Sequence, residues 1–228
     1  MENQICIELK WYNVWGTMIE YEKKLDHFFM ESQSFEGGKV YALAGEYGLG
    51  NEGLAYLLSG NGKVCSDRFD YKILQNGKSV SFKELQKISC NIEVTRTKLK
   101  NKPVRKTIEK SLKSGATHYC YHEIQEMFGL TKGREMRKFW QLSGERWRAS
   151  IANGYCAGKQ LYFAPYETNV HYDSVLKQGF SKCLDILRES NAIVLLPVAS
   201  DSIMFEYVDE VIMVDAFRNI QKKQKRET

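Results

Sequence analysis

The stretch Val40-Tyr-Ala-Leu-Ala-Gly-Glu-Tyr-Gly-Leu-Gly-Asn-Glu-Gly-Leu-Ala-Tyr-Leu-Leu58 decides the fold. Its apolar start (Val40–Ala44) predicts a strand, its glycine-rich centre (Gly45–Gly53) predicts a loop, and Leu54–Leu58 predicts a helix. Proteins of the α/β class commonly bind phosphate at such a unit, because backbone N–H groups at a helix N-terminus attract anions. The sequence therefore predicts an α/β protein with a loop of the phosphate-binding type.

The glycines of this loop follow the frame of a P-loop, G-x-x-x-x-G-K-[ST]. In that motif the backbone amides surround the phosphates, the lysine binds the terminal phosphates and the hydroxyl binds Mg²⁺. Gly45, Gly48 and Gly50 keep the frame, but Asn51 stands at the lysine position and Glu52 at the hydroxyl position. Taken alone, the loop is equally well interpreted as an ordinary tight turn between a strand and a helix.

Strand and helix patterns alternate in the C-terminal third, which favours a largely parallel sheet. Residues from Arg96 to about Trp140 predict mainly helices. The strands Tyr71–Leu74 and Val80–Phe82, joined by an Asn-Gly corner, predict a hairpin. The remaining predicted segments are the strands Ile5–Leu9, Leu161–Ala164, Ile193–Val198 and Val211–Val214 and a helix near Val175–Glu189.

Length and composition limit the class of protein. At about 150 residues per domain, 228 residues fit one compact domain with an inserted subdomain better than two domains. Apolar runs are far shorter than the roughly 20 residues of a membrane span, and the start lacks the pattern of a signal peptide, so we expect a soluble, cytoplasmic protein. The net charge of +5 is too mild to indicate a nucleic-acid partner unless the charge is concentrated.

A tetrapeptide downstream, Leu142-Ser-Gly-Glu145, makes the identity of the fold more specific. Together with the glycine-rich loop and the C-terminal strands it resembles the ATP-binding cassette (ABC) ATPase family, whose signature is LSGGQ. The resemblance covers about residues 35 to 220. It implies a single domain (1–228) with a P-loop NTPase-like, mostly parallel central sheet, an N-terminal antiparallel β part and an inserted helical subdomain at about 95–150.

Further positions of the family can be carried over from this alignment. The gapless alignment from Leu142 puts Tyr166 at the Walker B Asp, Glu167 at the catalytic Glu and Asp173 at the D-loop Asp. Ser200 takes the place of the H-loop His, and Glu93 that of the Q-loop Gln. The segment Glu206–Asp215 resembles the strand that commonly ends the domain.

The departures at these positions predict a pseudo-ATPase. The family uses the lysine, the hydroxyl, the Walker B Asp, the catalytic Glu and the His together to bind Mg²⁺–ATP and position water; only Glu167 is kept. Glu52 is expected to point a carboxylate at phosphate oxygens, so ATP and Mg²⁺ are disfavoured in the chain's own site. No metal site of its own is expected.

The resemblance also implies partners. In the family two such domains pair head-to-tail, and each signature loop caps the nucleotide of the other domain. Leu142, Ser143, Gly144 and Glu145 would serve a partner in this way, although Glu145 replaces a glycine. We expect a homo- or heterodimer with another ABC ATPase domain, bound to a membrane permease at the cytoplasmic face. A relic loop without any ligand is the alternative.

Other interpretations stay open at this point. A soluble scaffold or regulatory protein that kept the fold, or an active enzyme with non-standard residues, also fits the sequence. The three possible metal ligands in His118–His122 lack a second cluster. The basic run Arg96–Lys113 could face anionic lipid, an acidic partner or nucleic acid, or be a solvated face.

Overall fold

The structure is a computed structural model that describes residues 5–11, 17–28, 32–65 and 71–214. Its strands are β1 (Cys6–Trp11), β2 (Thr17–Tyr21), β3 (Lys24–Phe28), β4 (Gln33–Glu36), β5 (Lys39–Ala44), β6 (Lys63–Val64), β7 (Tyr71–Gln75), β8 (Lys78–Ser79), β9 (Ser89–Asn91), β10 (Leu161–Phe163), β11 (Ile193–Val198) and β12 (Glu210–Met213). Its helices are α1 (Asn51–Leu58), α2 (Phe82–Ile88), α3 (Val104–Leu112), α4 (Tyr121–Met127), α5 (Arg146–Cys156), α6 (Asn169–Lys177) and α7 (Phe180–Glu189).

The central sheet is parallel, with strand order β12-β5-β11-β10-β9. All six residues of β11 are buried, as expected for a strand that is covered on both faces. Ile193 and Leu195 pack in one core with α1 and β1, whereas Val194 and Leu196 pack in a second core with α3 to α7. The parallel α/β sheet that the sequence predicts is confirmed.

The N-terminal part is antiparallel. One sheet has the order β4-β1-β7-β8, and a smaller one has the order β3-β2-β6. The predicted Asn-Gly corner is present, with positive φ angles at Asn76 (51°) and Gly77 (75°) that allow the tight turn. The second hairpin strand is Lys78–Ser79 rather than the predicted Val80–Phe82, because Ser81 and Glu84 form a capping box that starts α2.

Helices α3, α4 and α5 lie between β9 and β10 and pack on one face of the sheet. This segment is less helical than the sequence predicts, since irregular chain and 3-10 turns separate the helices. The predicted helix Val175–Glu189 is two helices, α6 and α7, because Gly179 adopts φ 89°, a left-handed conformation that interrupts a helix. In the described ranges, none of the helices has the length and apolar character needed to cross a membrane.

Candidate functional site

The glycine loop (Gly45–Gly50) connects the C-terminal end of β5 to α1. The helix begins at Asn51, three residues earlier than predicted, because Gly50 at φ 99° turns the chain directly into it. The Asn51 amide Nδ2 donates to the Gly45 carbonyl (3.2 Å) and to the Val198 carbonyl (3.1 Å), and its Oδ1 accepts from the Glu52 N–H (2.9 Å). The Asn51 side chain therefore joins the ends of β5 and β11 and satisfies an N-terminal amide of α1.

Glu52 is a buried carboxylate, with its side chain 1% exposed. It accepts hydrogen bonds from Arg96 Nη1 (2.8 Å), Lys24 Nζ (3.1 Å) and the Tyr21 hydroxyl (3.2 Å). Burial works against the charge of Lys24, yet its contact with Glu52 raises its pKa. The expectation that Glu52 points at phosphate oxygens is therefore corrected, because two cations and a hydroxyl of the same chain surround this carboxylate.

Asp26 supplies a second carboxylate to the start of α1. It lies on β3 of the β2–β3 hairpin, is 3% exposed, and its Oδ2 accepts from the Gly53 N–H at 3.0 Å. Burial raises the pKa of Asp26, and the Gly53 N–H partly offsets that rise. A Cβ on Gly53 would lie 3.1 Å from the Asp26 Cβ, so glycine permits this close approach. A helix N-terminus that favours an anion thus has one from its own chain.

Glu93, at the Q-loop position, is the partner of the first residues of α5. Its Oε2 accepts from Arg146 Nη2 (2.7 Å) and Trp147 Nε1 (3.0 Å), and its Oε1 accepts from the Thr95 N–H (3.0 Å). Burial alone would raise the pKa of Glu93, but these hydrogen bonds lower it. The end of β9 and the start of α5 are therefore fastened by one ionised side chain.

The signature-like tetrapeptide has one exposed hydroxyl. Leu142 is 1% exposed, and the Glu145 Oε1 accepts from the Thr131 N–H at 2.6 Å. Ser143 is exposed and adopts φ 42°, a left-handed conformation that is uncommon for residues other than glycine. A Cβ on Gly144 would clash with the Gln178 side-chain amide, so this position is covered by that side chain.

Tyr166 and Ser200 each contact a residue of the glycine loop. The Ser200 Oγ donates to Glu46 Oε1 at 2.8 Å, and the Tyr166 ring contacts the Tyr47 ring at 5.5 Å between centroids. Glu167 lies 4.0 Å from His171 Nδ1, and burial raises its pKa although His171 lowers it.

The structure thus brings Gly45, Gly48, Gly50, Asn51, Glu52, Tyr166 and Ser200 together at the C-terminal ends of β5, β10 and β11. Asp173 lies apart, exposed on α6 and paired with Lys177 at 2.6 Å. Sequence reasoning missed Tyr21 on β2 and Lys24 and Asp26 on β3. The sequence signal for this part of the site was Asp26, an acidic residue in the middle of the predominantly alternating segment Lys24–Phe28.

Metal-binding chemistry finds little support in the part of the chain that the structure describes. No group of three or more His, Cys, Asp or Glu side chains there could hold a metal ion. His122 lies 3.3 Å from Glu126, and the His118 ring contacts Tyr119.

Comparison with known proteins identifies the fold. No protein-family model matches the chain, and no curated protein sequence matches it significantly. Solved structures match over nearly its whole length. A protein described as an ABC transporter ATP-binding protein, from Pyrococcus furiosus, matches with TM-score 0.61 and 16% identity, over 91% of this chain and 97% of its own. The protein cbiO1 from Clostridium perfringens, part of the ABC transporter complex cbiONQ, matches with TM-score 0.61 and 17% identity, over 92% of this chain and 84% of its own. An ATP-binding subunit of an ABC transporter matches with TM-score 0.65 and 14% identity, over 92% of this chain and 85% of its own. The chain therefore has the fold of ABC ATPase domains.

Proposed function

We propose that this chain is an ABC-type subunit that does not hydrolyse ATP, pairs with a second ATPase domain that has an intact P-loop, and couples to a membrane permease. One observation carries the proposal. The start of α1, where this fold holds phosphate, is already occupied by the chain's own side chains: Asp26 accepts from the Gly53 N–H and Asn51 Oδ1 accepts from the Glu52 N–H.

These contacts oppose a nucleotide more directly than the loss of the lysine does. To expose the Gly53 N–H, the hydrogen bond from it to the Asp26 carboxylate must break, and a bond to a charged group is worth about 1.5–3 kcal/mol. Displacing the Asn51 amide would also leave the carbonyls of Gly45 and Val198 without this donor. The donor set does not fit Mg²⁺–ATP, because an amide and a buried, cation-bound carboxylate replace the ammonium and hydroxyl groups.

Glu167, the one carboxylate kept at a catalytic position, lacks the neighbouring groups that hydrolysis in the family requires. Glu167 keeps the position of the family's base, but Tyr166 and Ser200, which flank the loop, offer neither a metal ligand nor an imidazole. This arrangement supports no hydrolytic step.

Pairing with a second domain is supported by Ser143. Ser143, the second residue of the tetrapeptide, is exposed, and its backbone is held at a positive φ. A strained, exposed serine suits a contact outside its own chain. Because two copies of this chain would present two self-neutralised loops, we favour a heterodimer in which Ser143 faces the nucleotide of the intact partner.

Coupling to a permease is proposed by analogy. The similar cbiO1 protein is part of the ABC transporter complex cbiONQ. A subunit of this kind would sit at the cytoplasmic membrane face and transmit motion, and the Glu93–Arg146 link between β9 and α5 offers a rigid connection.

The test combines nucleotide binding with reconstitution. Fluorescent ATP and ADP, with and without Mg²⁺, should show no saturable binding to the wild-type chain into the millimolar range. The triple variant Asp26→Ala/Asn51→Lys/Glu52→Ser should gain binding, whereas Asn51→Lys alone should not, because Asp26 and Glu52 remain. Glu36→Ala is the matched control, since it removes a carboxylate on β4 outside the site.

Affinity purification from native membranes should recover a permease together with an ATPase that has an intact P-loop. Saturable wild-type binding that a glycine-loop substitution weakens would overturn the empty-site proposal. Recovery without a permease would instead favour the scaffold or regulatory alternative.

A further inference from the structure

A cationic surface with an exposed tryptophan lies beside the candidate site. Residues 98–103 and 136–140 run antiparallel there, joined by the Trp140 N–H to the Lys100 carbonyl (3.2 Å), the Phe139 N–H to the Lys102 carbonyl (3.2 Å) and a bridge between Pro103 and Lys138. Its exposed side chains define the lysine–tryptophan patch: Lys98, Lys100, Lys102, Met136, Arg137, Lys138 and Trp140.

The charge of the chain is concentrated around this patch. Residues 96–142 hold 12 basic and 4 acidic side chains, whereas the rest of the sequence holds 21 basic and 24 acidic ones. The acidic neighbours Glu109 and Glu135 already bind Arg105, at 2.8 and 3.2 Å. Within the described ranges, no carboxylate lies within ion-pair distance of the five cations of the patch. A positive field therefore remains for an external anion.

The apolar part of the patch is held outward. Trp140 is 51% and Met136 59% exposed, while the adjacent Phe139 is completely buried in the core and anchors the turn. The exposed indole and the exposed methionine together supply apolar area for contact with another surface.

We propose that the lysine–tryptophan patch binds the anionic headgroup surface of a membrane. Four of its five cations are lysines, which act as compact point charges without a fixed binding geometry, whereas bidentate recognition of individual phosphates favours arginine. Polybasic segments next to an indole are typical of membrane contacts, since tryptophan prefers the lipid–water interface. Nucleic-acid strands are usually held by several stacking aromatic rings, and this patch offers one. The inference does not depend on nucleotide binding or on a permease.

The experiment uses the full chain and vesicles of phosphatidylcholine with or without phosphatidylglycerol. Co-sedimentation should require the anionic lipid and should fall as salt rises from about 0.1 to about 1 M, because the Debye length shrinks from about 10 to 3 Å. Lys100→Gln/Lys102→Gln/Lys138→Gln should weaken binding about 100-fold, since each neutralised lysine removes roughly a fivefold factor near such a surface.

Two matched variants make the test specific. Lys78→Gln/Lys83→Gln/Lys87→Gln removes the same charge from exposed lysines at β8 and α2 and should keep nearly full binding. Trp140→Ala should weaken vesicle binding several-fold even where salt has screened the charges. Equal losses in both triple variants, or binding to vesicles without phosphatidylglycerol, would overturn the proposal. Tighter, lysine-dependent binding to single-stranded RNA than to vesicles would overturn it in favour of nucleic acid.

Discussion

The ion pair between the buried Glu52 and the partly exposed Arg96 makes a specific prediction about the stability of the site. Arg96→Met removes the partner at 2.8 Å and leaves a carboxylate that is 1% exposed with Lys24 and Tyr21 alone. Removing one partner of a fully buried ion pair costs about 3–5 kcal/mol. The 30% exposure of Arg96 and the two remaining partners of Glu52 place this case at the lower end, at about 3 kcal/mol. For a chain of this length, the melting temperature should fall by about 6–12 °C.

Arg105→Met is the matched control. Arg105 also binds two carboxylates, Glu109 and Glu135, but its side chain is 43% exposed and those carboxylates are 42% and 26% exposed. Solvent screening limits such pairs to about 0–1 kcal/mol. Urea unfolding followed by circular dichroism measures both losses, and high salt should reduce the loss only for Arg105.

A double variant separates the charge from the packing. Arg96→Met/Glu52→Gln should be more stable than Arg96→Met alone, because no uncompensated carboxylate is then buried. Equal losses for Arg96→Met and Arg105→Met, or a double variant less stable than Arg96→Met, would refute the reasoning that this ion pair closes the loop.

Three further perturbations test single features. The stability of Asp26→Asn relative to wild type should rise as pH rises above about 4. An acid whose pKa is raised in the folded state contributes fully to stability only below its unfolded pKa, and it loses that contribution as pH rises through its folded pKa. Denaturation midpoints against pH measure this difference, and a pH-independent difference would contradict it. Ser143→Gly should raise the free energy of unfolding by about 0.5–1 kcal/mol, since φ 42° suits glycine, and a loss of stability would count against backbone strain. Trp147→Phe should cost about 1.5–3 kcal/mol in urea unfolding through the lost bond to Glu93; a cost below 0.5 kcal/mol, within the usual range for surface substitutions, would argue that the bond contributes little.

The sequence predicts the central sheet well because buried parallel strands are local, continuous apolar runs. Ile193–Val198 has the predicted bounds of β11, although it contains Pro197. The missing N–H of that proline is tolerated because β10 ends earlier, with Phe163 opposite Leu195. The split between α6 and α7 went unpredicted, since the apolar spacing continues across Gly179 while its φ interrupts the helix.

The contents of the site were harder to predict. The position of Glu52 follows from the motif alignment, but its partners Lys24 and Arg96 are 28 and 44 residues away. Such contacts depend on how the β2–β3 hairpin packs on α1, and no local pattern encodes that packing. The bond between Asp26 and Gly53 was hidden for the same reason.

The carboxylate that Asp26 places on α1 changes how the loop responds to its surroundings. A loop stabilised by a dissociable ligand gains stability with ligand concentration by mass action. Here the anion belongs to the same chain as the loop, so its local concentration is fixed by the fold. Under the proposed function, the conformation of the glycine loop would not follow the cellular ratio of ATP to ADP, and this subunit would keep one conformation while its partner moves.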